Sequence, residues 1–214
     1  MTNDERMKRI ANDYLEVVCP YLMQYETLTN DFPISILNEI RSAFTHLAEF
    51  YATDDETVKS DMVTEMEGHF KRILRDCYKY VCEAIEDEYS EFSDLYRYVD
   101  LSLVSNGEFV TKLVELRNSA IDKMMIARKK ELESDIKKVD ESELLSLYEE
   151  TFVEYDNLHN LIKNEKPHAD ALKHKTIEED LKKKKKERRY EVLTWVFGIT
   201  SVVGVILTIV GFLT

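Results

Sequence analysis

At 214 residues the chain is long enough for one domain of ordinary size and a terminal appendage. Five glycines, three prolines and the absence of any strand-type alternation exclude a β-rich fold, and the abundance of Glu, Lys, Leu and aromatic residues predicts an all-α protein. The net charge is −13; residues 182–191 hold seven positive and two negative charges, so the remainder carries −18 and repels nucleic acid unless a local basic patch intervenes.

The first helix is expected from about Asn3 to Thr27, capped by Asn3 or Asp4, with Ile10, Tyr14, Val17, Val18 and Leu22 buried. Pro20 should kink or break it after Cys19, because proline lacks the amide hydrogen of the helical ladder. Residues 29–33 form a turn, and Pro33 suits the first position of a second helix running to Ala52. Leu37, Ile40, Phe44, Leu47 and Tyr51 fall within about 80° of one another on that helix and form its expected core face. Residues 53–56 read as a loop with a capping box. A long third helix follows to about Glu91, with Val63, Met66, Phe70, Ile73, Leu74, Cys77, Val81 and Ala84 inward. Residues 102–107 break the pattern, and a fourth helix runs from Glu108 to about Lys138. Four such amphipathic helices make an antiparallel bundle over residues 1–138.

Residues 139–189 read as a helical stalk. Its first part, Glu141 to Lys163, is amphipathic; Pro167 interrupts it, and the remainder is polar with few apolar positions. The run Lys182, Lys183, Lys184, Lys185, Lys186, Arg188 and Arg189 is of the kind that meets anionic headgroups on the cytoplasmic side of a span. From Val192 to Thr214 no residue is charged. At about 1.5 Å per residue a helix of that length covers ~35 Å, enough to cross a hydrocarbon core of ~30 Å. A transmembrane helix over 190–214, a lipid bilayer as partner and a cytosolic body are therefore expected. Thr194, Gly198, Ser201, Gly204, Thr208 and Gly211 lie within roughly 140° of arc, and a small-residue face of this kind supports close helix association and a homo-oligomer.

Chemistry-bearing motifs are scarce. There is no phosphate-binding glycine loop, metal-spaced Cys/His cluster or nucleophile setting, so no cofactor and no metal are expected. Cys19, Cys77 and Cys82 fit free thiols of a reducing compartment, and the charged N-terminus does not resemble a signal peptide. Arg41 and His46 stand on the second helix, and His69, Arg72 and Asp76 share one stripe of the third. On an ideal helix Arg41 and His46 diverge by about 140°, and Arg41 could pair structurally with Asp76 or Glu39.

Residues 38–48 (NEIRSAFTHLA) followed by 68–79 (GHFKRILRDCYK) resemble the HEPN superfamily, four- or five-helix bundles of RNA-cleaving toxins, CRISPR effectors and other bacterial defence proteins. The resemblance implies that Arg41 holds a scissile phosphate and His46 assists attack by the ribose 2′-hydroxyl, without metal, across a dimer. It also implies a setting in bacterial antiviral defence, with RNA or an RNA-guided complex as partner. The architecture is similar to small membrane accessory proteins of RNA-targeting CRISPR systems. Two readings follow: a self-associating single-pass inner-membrane effector that permeabilises the bilayer, or a membrane-tethered ribonuclease using Arg41 and His46.

Overall fold

The computed structural model describes residues 1–134 and 141–213, leaving aside the side chains of residues 134, 141, 196 and 198–213. Its described elements are all helical: α1 (Asn3–Asp13), α2 (Cys19–Thr29), α3 (Ile34–Ala52), α4 (Glu56–Leu95), α5 (Glu108–Ser134) and α6 (Glu141–Leu213). The boundary expected at 138/139 lies outside the described residues.

Local chemistry accounts for the helix ends. Thr2, not Asn3 or Asp4, caps α1: its hydroxyl accepts from the Glu5 amide at 3.2 Å, and the Glu5 carboxylate accepts from the Thr2 amide at 2.7 Å. α1 runs into α2 without a break. A π-helical turn, Tyr14–Val18, precedes Pro20 and absorbs the register change that proline imposes on the ladder. Asn30 ends α2 in the left-handed region, a conformation its short polar side chain tolerates. Pro33 precedes the first turn of α3 as its cap, and Asp55 caps α4 by accepting from the Thr57 amide at 2.8 Å. Between α4 and α5 a short 3-10 segment, Leu101–Gly107, reverses the chain through consecutive left-handed residues Ser105, Asn106 and Gly107.

α4 is the spine, about 60 Å long at 40 residues. α1, α2, α3 and α6 pack on it, and α5 packs on α6. Its first half buries Val63 and Met66 against Met7, Ile10 and Phe50. Its second half contributes Tyr78, Val81, Cys82, Ile85 and Phe92 to the largest core cluster, shared with Leu144, Tyr148, Tyr155, Leu158, Ile162 and Ala169 of α6. Tyr21, Tyr78 and Phe152 meet there as an aromatic trio, with ring centroids 4.8–5.3 Å apart. Ion pairs join α5 to its neighbours, among them Arg117–Glu86 to α4 and Lys123–Glu154 at 2.8 Å to α6. The helix expected to stop at Pro167 continues through it, because packing of Ile162 and Ala169 on either side holds the helical path despite one lost ladder bond.

The structure corrects the expectation of a membrane span. Among the described residues no helix is long and apolar enough to cross a membrane. α6 carries charge through Lys182–Arg189 and Glu191, and its described side chains reach only to Phe197, so any span-length stretch within them holds far more charge than a hydrocarbon core accepts. The transmembrane helix over 190–214, the membrane anchor and the single-pass inner-membrane location are therefore not supported. Of the small-residue face, Thr194 bonds back to the Tyr190 carbonyl, whereas the surroundings of Gly198, Ser201, Gly204, Thr208 and Gly211 lie outside what the structure describes.

Candidate functional site

Two features stand out on the flanks of α3. The first is polar and joins α3 to α4. Glu39 and His46 are seven residues apart and so share a face, opposite His69 and Arg72 one turn apart on α4. The Glu39 carboxylate accepts through one oxygen, Oε2, from His69 Nδ1 at 2.7 Å and from Arg72 Nε at 2.9 Å. The Arg72 Nη2 also lies 2.8 Å from His69 Nδ1. A guanidinium can only donate and an ionised carboxylate can only accept, so Glu39 is the acceptor on which the Arg72 and His69 side chains converge. Burial acts to raise the Glu39 pKa, but the His69 and Arg72 hydrogen bonds and charges outweigh it and hold the carboxyl below the usual glutamate range. His46 stacks on His69 with centroids 5.2 Å apart; its Nδ1 is buried without a hydrogen bond, 3.6 Å from Glu49.

The sequence-derived residues divide between separate places. His69 and Arg72 meet Glu39, but Asp76 pairs instead with Arg75, in a second network where Glu131 accepts from Lys79 at 3.2 Å and from the buried Tyr148 hydroxyl at 2.6 Å. Arg41 joins neither group. Both carboxylates named as its partners are taken by nearer cations, and it stands exposed on the opposite flank of α3 from His46. Arg41 and His46 therefore do not converge within one chain. His159 is half-buried and paired with Glu88, while His168 is exposed and contacts Glu165 at 2.9 Å. Among the described residues no group of three or more His, Cys, Asp and Glu is placed to hold a metal ion. The basic run Lys182–Arg189 is exposed along α6, where Lys182 makes a loose ion pair with Glu178.

The second feature is apolar. α1 and α3 both pack on α4 and meet only around Phe50, which clusters with Met7 and Ile10, so an open groove of about 720 Å³ runs between them. Met66 and Phe70 of α4 form its floor; Ile10, Tyr14 and Leu15 line one wall, and Ile40, Phe44 and Leu47 the other. The face of α3 expected in the core borders this groove. Ile40 and Leu47 are half-buried along it, but Leu37, Phe44 and Tyr51 are 54, 69 and 74% exposed, and Leu15 across the groove is 65% exposed. The residues that α3 buries on α4 are Ile36, Ala43 and Phe50, about 100° around the helix. α3 is apolar over both stripes, and its packing covers only one. Sequence reasoning found the face but not its exposure; the second heptad-spaced stripe at 36, 43 and 50 was the available signal.

No family model matches this chain, and no curated protein or solved structure is similar to it.

Proposed function

We propose that this protein acts by assembly rather than by catalysis, as a helical docking protein whose binding face is the groove between α1 and α3. The observation that carries the reading is the unpartnered stripe Leu37, Phe44 and Tyr51 beside a groove floored by Met66 and Phe70. Contiguous exposed apolar surface of this kind marks interaction sites, and the 3-4 spacing of residues 37, 40, 44, 47 and 51 is that of a helix seam. A groove between two helices suits an α-helix presenting anchors at matching intervals.

The test uses an anilinonaphthalene sulfonate dye on dilute full-length protein. Phe44→Glu and Leu15→Glu, on opposite walls, should each lower dye binding, whereas Met125→Glu, at an exposed apolar position on α5, should not. Equal binding by all three variants and the wild type would refute the groove as the docking face.

A second reading, a metal-independent ribonuclease of the HEPN kind, is favoured by one observation. Arg41, without an ion pair among the described residues, lies on the same exposed side of α3 as Phe44, so docking of two copies there would bring two guanidinium groups together. Against it stands His46, half-buried on the other flank beneath its stack with His69. Cleavage of single-stranded RNA by the wild type, lost in His46→Ala, would favour this reading.

A further inference from the structure

The geometry points to a second copy of this chain as the occupant of the groove, docked α3 against α3 around a two-fold axis at Phe44. The inference rests on the docking reading above and names its partner.

Three observations carry it. First, the exposed stripe is symmetric about its centre. Leu37 and Tyr51 lie seven residues on either side of Phe44, about 10 Å away along the axis, and Ile40 and Leu47 fill the positions between. An antiparallel pair of α3 helices therefore sets Leu37 of one copy beside Tyr51 of the other and Phe44 beside Phe44. Such a self-complementary patch is what an isologous contact requires. In that pose Phe44 and Tyr51 of each copy lean over the groove of the other, whose floor already presents Met66 and Phe70.

Second, the area fits. Taking ~200 Å² for an aromatic side chain and slightly less for leucine, the exposed fractions of Leu15, Leu37, Phe44 and Tyr51 leave roughly 500 Å² of apolar surface per copy. A stable interface needs about 800 Å² per partner, of which some 60% is apolar.

Third, the charge fits. Two copies of a −13 chain repel over most of their surface, and they can approach closely only where acid is sparse. α3 has only Glu39 and Glu49 among its 19 residues. Glu39 is engaged by Arg72 and His69, and both glutamates lie on the flank away from Phe44. The charged residues lining the groove, Asp4 and Lys8, have opposite signs. With Arg41 exposed beside Phe44 the face carries a small positive charge on an acidic chain, so added salt, by screening both the Arg41 pair and the acidic remainder, strengthens rather than weakens the pairing.

The test is charge complementation at one position, read by sedimentation of the full chain across the micromolar range. Phe44→Glu and Phe44→Lys each set like charges against themselves at the axis and should raise the dimer Kd by roughly 100-fold or more. An equimolar mixture of the two should restore the dimer, now weakened by salt, while far-UV circular dichroism shows each variant folded. Because rescue depends on position 44 alone, association through any other segment leaves the single variants dimeric and overturns the proposal. A wild type that remains monomeric while its groove binds the dye overturns the second copy as occupant and leaves the docking reading standing. Loss of both the dimer and the Phe44-dependent dye signal overturns both.

Discussion

Phe44 and Phe50 lie six residues apart on one helix, and the structure assigns them opposite fates. Phe50 is 1% exposed, packed among Met7, Ile10, Val63 and Met66, whereas Phe44 keeps most of its ring in solvent. Phe50→Ala removes a complete set of core contacts from a junction of α1, α3 and α4, and should cost about 3–5 kcal/mol. Phe44→Ala forfeits only the shielded third of a ~200 Å² side chain; at ~25 cal/mol per Å² the loss is at most about 1.5 kcal/mol. For a domain of this size each kcal/mol moves Tm by about 2–4 °C, so the two variants should melt at least several degrees apart. Urea unfolding of dilute protein, followed by far-UV circular dichroism, measures both, with unchanged m-values confirming that the same surface unfolds. Low protein concentration matters, because self-association adds stability by mass action and would lend Phe44 a share it lacks in the monomer. If Phe44→Ala were as damaging as Phe50→Ala in dilute solution, the stripe at 37, 44 and 51 would be the buried one and the docking account would fall.

Three further outcomes follow from the packing. Cys77 and Cys82 are buried, and burial pushes the Cys77 thiol up to about 12, so an aromatic disulfide reagent should titrate Cys19 alone in the native protein and all three thiols in denaturant. Burial acts to raise Glu39, Glu67 and Glu131, yet their hydrogen-bonding and charged partners outweigh it and hold all three below the ordinary glutamate value of 4.5; their stabilising contribution is present above that pH and lost as pH falls below it. Glu39→Gln should flatten that acid limb of the stability curve, and an unchanged slope would contradict the carboxylate's role. Tyr148→Phe should cost about 1.5–3 kcal/mol in urea unfolding, since the buried hydroxyl gives Glu131 a charge-assisted bond at 2.6 Å. A loss within error of zero would mean that water replaces it.

The all-α class and the positions of α3, α4 and α5 are legible in the sequence because capping residues and turn chemistry agree with the apolar period at those helices. Asp55 and Gly107 are examples: each stands where the backbone needs a side-chain acceptor or a positive φ. The burial of α3 was less legible. A helix that is apolar over two adjacent stripes is compatible with either one facing the core, and the choice depends on where α1 comes to rest on α4. Arg41 was mispaired for a related reason. Several carboxylates lay within reach in sequence, and the competition among Arg72, His69 and Arg75 for Glu39 and Asp76 is decided only by the meeting of two helices. Pro167 shows the opposite effect, in which packing overrides a strong local signal. The apolar run after Glu191 was read as a span from its length and its basic flank, whereas among the described residues no helix is long and apolar enough to cross a membrane.

The account stands or falls on whether the open face of α3 is a contact between copies. The most direct measurement is the native mass of the full chain, wild type and Phe44→Glu, by light scattering coupled to size exclusion at micromolar concentration. The account predicts twice the 25.2 kDa chain mass for the wild type and the single chain mass for the variant. Equal masses for the two proteins would contradict it.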